Sequence, residues 1–434
     1  MSRLLQAYRN RLMTADAAVA AIPNGARICM ALGVAQPPAV LDALARRAAA
    51  GGIDGASLYY LLSTAMAGQS VLRRELSTRL RPMSLFHSSI ERTLDLQSIE
   101  AGQAPVDLIP VSFSRVPGVL CKDIGIDTLV TQVAPLDANG EFSLGTNIDY
   151  AHAAARHCQR VIVEVNHHMP RTSGRNTIPL SAVTAIVEHD RPLTEVPAIS
   201  RRAADERIGA IIAGLIDDGA CLQMGIGAVP EAVCAALHDH RSLGIHTELM
   251  TPGLAALMRS GVADNSRKTI HPGKSVFTFA MGDRDFYDFM DGNADLEGHP
   301  VEYVNEPSVI ARNEKMVSVN ATLEIDLEGA CNSEAMHGRQ YSAAGGQLDF
   351  VRGASASSGG KSIIACHSTA AGGGVSRIVH RLSGPVTTPR NDVHFVVTEH
   401  GFADLRGKSI AERAKALIAI ADPRFREELA VHCR

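Results

Sequence analysis

The order of apolar and polar residues in the second half of the chain predicts helices and strands that alternate. Apolar residues recur at helical spacing between residues 208 and 216, and an Asp-Asp-Gly turn then ends the pattern. The predicted elements that follow are a strand, a glycine turn, a helix, a second strand and another helix, at residues 221–224, 225–229, 230–237, 243–249 and 254–261. Alternating strands and helices indicate an α/β layer with a mostly parallel sheet.

Two segments of the first half are echoed in the second half. PPAVLDAL at residues 37–44 is similar to PEAVCAAL at 230–237, and DTLVTQVAPLDANGEFSLG at 127–145 is similar to MVSVNATLEIDLEGACNS at 316–333. The two echoes keep the same order along the chain, and their offsets are nearly equal. We therefore predict two related halves.

The boundary between the halves is predicted within HDRPLTEVPAIS, residues 189–200. Its two prolines disfavour a helix that continues through the segment. The predicted fold class is therefore α/β, with two related, open, mostly parallel-sheet domains at residues 1–192 and 193–434. A chain of 434 residues is also too long for one ordinary core.

Composition and charge exclude several classes of protein. Lys and Arg number 42 against 46 Asp and Glu, so the charge does not favour nucleic acid as a partner. Residues 1–22 lack the apolar core of a signal peptide, and no run of about 18 apolar residues suggests a membrane span. The eight cysteines form no C-x-x-C pair, and His167, His168 and His299 lack metal-ligand spacing. We expect a cytoplasmic protein with no disulfide framework, no metal and no nucleic-acid or membrane partner.

Candidate chemistry lies at the carboxyl ends of two predicted strands. The turn at 225–229 and Glu248 both occupy such ends, and parallel neighbours would share one edge of the sheet, where α/β proteins bind ligands. The two glycines of the turn fit either a tight strand-to-helix connection or a close approach of backbone to an anion. Glu248 fits either a solvated acid or a carboxylate nucleophile for acyl transfer.

A third candidate segment, residues 341–374, is dense in glycine and serine but is interrupted by the apolar runs LDFV and SIIAC. One alternative is a long flexible loop. The other is a folded segment whose glycines offer backbone N–H groups as an oxyanion hole, with Lys361 available to a phosphate.

Eight segments together carry a family resemblance. They are EVNHHMPRTSG (164–174), GIGAVPEAV (225–233), GIHTELMTPG (244–253), VNEPSVI (304–310), SVNATLEIDLEG (318–329), AAGGQLDF (343–350), GGKSIIACHSTA (359–370) and TPRNDVHFVVTEHGFADLRGKS (388–409). In their order and spacing, the chain resembles the acetyl-CoA hydrolase/transferase family of class I CoA-transferases, which holds 4-hydroxybutyrate and itaconate CoA-transferases. His167-His168 and His367 differ from residues common in that family, which leaves the substrate open.

The resemblance implies two α/β domains with the active site between them, and a first domain that lines the acyl pocket. Glu248 matches the catalytic glutamate of the family. This carboxylate would attack an acyl-CoA, form an acyl-glutamyl anhydride and then a glutamyl-CoA thioester, and a second carboxylic acid would take the CoA. The substrates implied are CoA thioesters, such as succinyl-CoA or acetyl-CoA, and a small carboxylic acid, with no permanently bound cofactor.

The resemblance also implies roles for other residues. Asn305 would orient Glu248, Gly345 and Gly346 would stabilise the oxyanion, and Lys361 is a further candidate for CoA. Backbone contacts to CoA are implied for the whole turn, Gly225, Ile226, Gly227, Ala228 and Val229. A homo-oligomer, either a dimer or a tetramer, is expected.

Arg115 is the candidate for recognition of the acyl acid. The segment VDLIPVSFSRVPGVL at 106–120 predicts a strand at 106–111, with Arg115 in the turn beyond it. This arginine could pair with the distal carboxylate of a dicarboxylic acid, or it could be an exposed loop residue. We therefore predict itaconate or succinate as substrate, with 4-hydroxybutyrate or a short fatty acid as the alternative. A thioester hydrolase and a non-enzymatic CoA-binding sensor are the competing functions.

Overall fold

The structure, a computed structural model, describes residues 3–197 and 199–432. The chain forms two compact units: the first contains Met1–Val196 and Thr278–Glu302, and the second contains Pro197–Phe277 and Tyr303–Arg434. The first crossing between units, after Val196, falls within the predicted boundary segment.

The sequence analysis placed residues 278–302 in the C-terminal domain, whereas in the structure this segment packs with the first compact unit. The segment belongs to the first unit, where the Thr278 carbonyl accepts a hydrogen bond from Ile148 N at 3.0 Å and Ala280 N donates to the Thr146 carbonyl at 2.8 Å. These bonds join residues far apart in sequence, so no local pattern of apolar residues predicts them.

The first unit is built on a seven-stranded sheet. Its strands, labelled β1 to β7 in chain order, are Arg27–Met30, Ala56–Leu61, Leu80–Phe86, Asp107–Leu108, Thr128–Val133, Arg160–Val165 and Ala185–Glu188. Their order across the sheet is β7-β6-β5-β1-β2-β3-β4, and every neighbouring pair is parallel. All six residues of β5 are buried, because helices cover both faces of a parallel sheet.

The second unit is built on a six-stranded sheet. Its strands, labelled β8 to β13, are Cys221–Met224, Gly244–Ile245, Met316–Ala321, Lys361–Ala365, Phe395–Thr398 and Gly401–Asp404. The order is β9-β8-β10-β11-β12-β13, with only the β12–β13 pair antiparallel. The two open, mostly parallel sheets confirm the predicted fold class.

The two members of the second echo occupy equivalent places in the two sheets. The echo at 127–145 contains β5, which pairs with β1, and the echo at 316–333 contains β10, which pairs with β8. In each sheet the strand order reverses at this pair, and open α/β sheets bind ligands at such a switch point. The repeat therefore marks the switch point of each sheet.

Helices and short strands complete the units. The α-helices are Arg3–Arg9, Ala15–Ala20, Pro38–Ala49, Ala65–Gln69, Ser89–Glu100, Val116–Gly118, Ala151–His157, Ala203–Ala213, Ala228–Ala236, Pro252–Arg259, Arg284–Met290, Val301–Val304, Pro307–Ile310, Gln347–Ala356, Ile410–Ile420 and Arg426–Val431. Short strands are Glu141–Ser143, Ser173–Gly174, Thr177–Pro179, Leu249–Met250, Ser275–Phe277, Phe279–Ala280, Leu296–Gly298, Glu324–Asp326, Cys331–Asn332, Ala335–Met336, Arg339–Gln340, Thr369–Ala370, Val375–Ser376 and Ile378–Val379.

Several predicted elements differ in extent from those observed, and three of them lie next to the candidate residues. The helix predicted from Pro230 begins at Ala228, so the proline lies in its first turn, where its missing N–H is harmless. The strand predicted at 243–249 is interrupted: it is divided into the short strands Gly244–Ile245 and Leu249–Met250, with a single bridge from His246 to Val276. The strand predicted at 106–111 is reduced to Asp107–Leu108 at the edge of the sheet. Within the described part of the chain, no helix has the length and apolar character to cross a membrane.

Candidate functional site

Glu248 lies in the break between Gly244–Ile245 and Leu249–Met250. Backbone hydrogen bonds fix the approach to it: His246 N donates to the Leu222 carbonyl at 3.0 Å, and Thr247 N donates to the Val276 carbonyl at 2.9 Å. The carboxylate is therefore held by paired backbone, although the strand itself has stopped. The side chain is partly buried.

Asn305 and Gly346 meet the Glu248 carboxylate. Asn305 Nδ2 donates to Glu248 Oε2 at 2.6 Å, and the Asn305 side chain is fully buried. A Cβ atom added to Gly346 would overlap Glu248 Oε2 and Asn305 Nδ2, and would lie 2.9 Å from Glu248 Cδ. Three segments that are far apart in sequence thus converge on one carboxylate, and all three belong to the second unit.

His246, which the sequence analysis did not identify, supports this cluster. Its Nε2 lies 2.8 Å from the Val304 carbonyl oxygen, the residue before Asn305, and its ring packs 6.4 Å from that of Phe350. Because His246 is also two residues before Glu248, it ties the backbone of the acid to that of its amide partner. The pattern GIHTEL offered no signal for this role beyond a buried position.

Burial raises the pKa of Glu248 to about 8. The hydrogen bond from Asn305 opposes this shift, and the negative charge of Asp349 adds to it. Asp349 is buried in the first turn of the helix Gln347–Ala356, which begins directly after Gly346. The sequence analysis quoted AAGGQLDF but assigned Asp349 no role.

We expect Glu248→Gln to stabilise the fold at alkaline pH. The folded protein keeps the Glu248 proton up to a pKa of about 8, whereas the usual value is 4.5, so between these values the folded state binds more protons and wild-type stability falls as pH rises. Glutamine does not ionise, so the variant does not lose this stability. The free energy of unfolding that the wild type loses is at most about 1.4 kcal/mol per pH unit, and contact of Glu248 with solvent makes it smaller.

Thermal melts measured from about pH 4 to pH 9 test this expectation. The melting temperatures of Glu248→Gln and wild type should coincide at the acid end and separate increasingly toward the alkaline end. Glu427→Gln, which alters an exposed acid, serves as the control. A constant difference at all pH values would contradict the raised pKa of Glu248.

The turn Gly225–Val229 stands at the carboxyl end of β8, at the switch point of the sheet. Gly225 packs closely on β10, since an added Cβ would lie 3.2 Å from the Val319 carbonyl oxygen. Gly227 has φ of 124°, a conformation that L side chains rarely adopt. Ala228 and Val229 open the helix Ala228–Ala236, and Ile226 is 51% exposed at the tip of the turn. The turn thus has the geometry that both alternatives required, a tight connection and a helix start open to a ligand.

Lys361 was predicted as a candidate contact for CoA, but its side chain lies away from Glu248 and the Gly225–Val229 turn. It is the first residue of β11, and parallel strands put their amino ends at the edge opposite the Gly225–Val229 turn. Its Nζ donates to the Leu215 carbonyl at 2.7 Å and lies 3.1 Å from Asp217 Oδ2. The ammonium group is therefore engaged away from the candidate site.

The remaining candidates are placed as follows. Gly345 has φ of 56°, in the left-handed region, and leads into Gly346. Arg115 ends a short 3₁₀ turn, Phe113–Arg115, in the first unit, and its side chain is exposed. His167 is also a surface residue, with Nδ1 2.9 Å from Asp190 and the side chain 70% exposed.

Two family models match the chain. The acetyl-CoA hydrolase/transferase N-terminal domain matches residues 2–197, and the corresponding C-terminal domain matches residues 282–433. The chain belongs to the acetyl-CoA hydrolase/transferase family. This confirms the family that the eight sequence segments indicated. Residues 198–281, which contain Glu248, lie between the two matched ranges.

Curated relatives of the family match nearly the whole chain. One is the 4-hydroxybutyrate coenzyme A transferase of Clostridium kluyveri, 40% identical over 97% of each chain. Another is the succinyl-CoA:cyclohexane-1-carboxylate CoA transferase of Geobacter metallireducens, 40% identical over 97% of this chain and 94% of the relative. The protein is accordingly an enzyme with CoA-transferase activity.

Solved structures of the family superimpose closely. RipA from Yersinia pestis is 49% identical, with a TM-score of 0.97 over 99% of this chain and 98% of its own. The 4-hydroxybutyrate CoA-transferase from Porphyromonas gingivalis is 35% identical, with a TM-score of 0.85 over the same shares. The fold of the acetyl-CoA hydrolase/transferase family therefore extends over the entire described chain.

Proposed function

We propose that this enzyme moves CoA from an acyl-CoA to a small carboxylic acid through a glutamyl-CoA thioester on Glu248. The observation that carries the proposal is the convergence of Asn305 and Gly346 on the Glu248 carboxylate. Burial that raises the pKa of an acid costs folding stability, and such groups cluster where chemistry needs them.

The proposed reaction proceeds in steps that each form one bond and break another. A Glu248 carboxylate oxygen bonds to the acyl carbon, the C–S bond breaks, and CoA leaves as a thiolate. The acyl group remains on Glu248 as an acyl-glutamyl anhydride. The thiolate then bonds to Cδ of Glu248 and the acyl group leaves as its free carboxylate. An acceptor carboxylate takes CoA from the resulting thioester by the same steps in reverse. The anhydride retains the activation of the thioester, so the exchange requires no ATP.

The surroundings of Glu248 suit these steps. Asn305 Nδ2 binds Oε2 and so leaves Oε1 to attack, with the carboxylate held in one orientation. Gly346 leaves room beside the carboxylate, and the helix that begins after it, Gln347–Ala356, places its first-turn N–H groups and positive dipole end beside this region. We propose that these N–H groups stabilise the oxyanions that form on the acyl and glutamyl carbons.

Chemical trapping tests the proposal directly. The enzyme is mixed with acyl-CoA and borohydride, which reduces a glutamyl thioester to an alcohol, and the modified residue is located by mass spectrometry. We expect the modification at Glu248, and none in samples without acyl-CoA or in Glu248→Gln. Turnover without modification at Glu248, or with modification of another residue, would refute the mechanism.

We expect Asp349→Asn to lower the pKa that controls attack. Burial and the Asp349 charge together raise the pKa of Glu248 to about 8, and the attacking form is the carboxylate. Removing the charge should move the acid limb of the kcat/KM–pH profile to lower pH and increase activity on its acid side. Asp349→Glu, which keeps the charge, is the matched control, and an unmoved limb in Asp349→Asn would count against the coupling.

For the acyl acid, we propose a C4–C5 dicarboxylate such as itaconate or succinate, bound through Arg115. The Arg115 side chain is exposed, which leaves its guanidinium accessible to a carboxylate. Arg115→Met should then raise KM for succinate or itaconate about ten- to a hundredfold, the effect of losing a charge-assisted pair, and spare acetate. Lys122→Met removes a nearby exposed cation as control. Equal losses for dicarboxylates and monocarboxylates would reject Arg115.

The names of the relatives favour one alternative substrate and one alternative reaction. 4-Hydroxybutyrate is favoured as an alternative acid by the names of the Clostridium kluyveri and Porphyromonas gingivalis proteins. Hydrolysis is favoured by a relative named acetyl-CoA hydrolase from Neurospora crassa, 25% identical over 91% of this chain. Release of CoA with and without each acid separates these cases, because a hydrolase needs no acceptor. The cytoplasmic location and homo-oligomeric state remain predictions.

A further inference from the structure

His367 and Asp205 form a polar pair in the second unit. His367 Nε2 lies 2.7 Å from Asp205 Oδ1, and the Asp205 side chain is 1% exposed whereas that of His367 is 26% exposed. The other oxygen, Asp205 Oδ2, accepts a hydrogen bond from Arg202 N at 2.7 Å. An ionised carboxylate can only accept, so His367 Nε2 must carry the proton that joins the pair.

The pair lies at the ligand-binding edge of the sheet. His367 follows the carboxyl end of β11 by two residues, and the turn Gly225–Val229 follows the carboxyl end of β8. One strand, β10, lies between β8 and β11, so the two features are about 10 Å apart across the sheet. This separation is within the length of the CoA molecule.

Helix packing puts both features on one face of the sheet. Asp205 lies in the first turn of the helix Ala203–Ala213, which packs against the helix Ala228–Ala236 that the turn opens. Gly209 allows the close approach, since an added Cβ there would lie 2.8 Å from the backbone of Ala232. Both helices therefore begin near the same edge, beside His367.

We infer that His367, oriented by Asp205, binds a phosphate group of CoA. The inference rests on the proposed function and names a contact of that same site. The basic residue that the sequence suggested for phosphate, Lys361, lies at the opposite edge with its ammonium group engaged by Asp217. A side-chain donor for a phosphate at the Gly225–Val229 edge must therefore come from another residue, and His367 offers a partly exposed ring there.

One acid near His367 could oppose an anion. Glu399 accepts hydrogen bonds from the backbone N and the hydroxyl of Ser368, the residue after His367, at 2.9 and 2.7 Å. His400 Nε2 lies 3.9 Å from the same carboxylate. Both carboxylate oxygens of Glu399 thus accept hydrogen bonds from Ser368. These bonds offset part of the negative charge and reduce the repulsion between Glu399 and a phosphate.

The test compares thioesters that differ only in their phosphates. The same acyl group is presented on CoA, on dephospho-CoA, which lacks the 3′-phosphate, and on pantetheine, which lacks all phosphates. With acyl-CoA, His367→Gln should raise KM about ten- to a hundredfold, the effect of losing a charge-assisted hydrogen bond, with little change in kcat. With acyl-pantetheine, the variant and wild type should have equal KM.

Dephospho-CoA identifies the phosphate group. A KM penalty that disappears with this thioester assigns His367 to the 3′-phosphate, and one that persists assigns it to the diphosphate. His367→Lys should recover part of the lost affinity for acyl-CoA because it restores a positive charge. His238→Gln, at a 73% exposed histidine of the same unit, is the control.

Two results would overturn the inference: an unchanged KM for acyl-CoA in a folded His367→Gln, or an equal penalty with acyl-pantetheine. Thermal melting establishes that the variant is folded. The borohydride experiment separates this inference from the proposed mechanism. Glu248 should still be modified in His367→Gln at saturating acyl-CoA. If Glu248 is not modified in the wild-type enzyme, the thioester mechanism is refuted. The role of His367 is then judged from the KM values for the three thioesters alone.

Discussion

Replacing Glu248 with alanine is expected to abolish CoA transfer and to leave CoA binding largely intact. The substitution removes the group that forms both covalent intermediates, and loss of a covalent nucleophile costs on the order of 10⁶ in kcat. The expected contacts to CoA lie elsewhere, in the backbone of Gly225–Val229. Initial rates with acyl-CoA and acceptor acid, together with calorimetric titration with CoA, measure the two properties separately.

Glu248→Asp sharpens this prediction because it keeps the carboxylate. The shorter side chain withdraws the oxygens from Asn305, whose Nδ2 now lies 2.6 Å from Oε2, and misplacement of a reacting group by this amount costs roughly a hundredfold. The activities should therefore rank wild type, aspartate and alanine in descending order. Wild-type turnover in Glu248→Ala would exclude Glu248 as the nucleophile.

Gly346→Ala is expected to lower kcat by about 10²–10³, as when catalytic hydrogen-bond geometry is disrupted. The added Cβ would overlap Glu248 Oε2 and Asn305 Nδ2, so the carboxylate and the amide must move apart. The backbone itself permits alanine, because Gly346 has φ of −97°. The variant should consequently fold, with its defect confined to the candidate site.

Gly214→Ala is the matched control for Gly346→Ala. Gly214 also belongs to the second unit, has φ of −66°, and would bring its Cβ no closer than 3.5 Å to another atom outside its immediate neighbours. We expect wild-type rates from this control and similar melting temperatures for both variants. Full activity in Gly346→Ala would mean that Glu248 and Asn305 need not keep the observed arrangement during turnover.

Local sequence patterns were sufficient to predict the architecture of the sheets. Short apolar runs that alternate with segments of helical periodicity predict a parallel sheet with helices on both faces. The strands β1, β5, β8 and β10 are part of such sheets. The two echoes showed that this arrangement occurs twice. Glu248 could be placed near the carboxyl end of a strand because side chains at strand ends follow directly from where the apolar run stops.

Only the tertiary structure decided which residues share the site. Asn305, Gly346 and His246 meet around Glu248 through contacts between distant segments, and nothing in the spacing of these residues specifies such contacts. The structure likewise moved residues 278–302 to the first unit.

Lys361 shows the physical reason for this division most clearly. Its sequence position among glycines and serines suggested a phosphate ligand, but a parallel strand has two chemically different ends, and Lys361 begins β11 rather than ending it. The sequence by itself indicated which apolar runs are candidates for strands, because the alternation of apolar runs with helical segments is visible locally. The direction and pairing of those strands determined which side chains reach the ligand-binding edge, and these depend on hydrogen bonds between segments that the sequence separates.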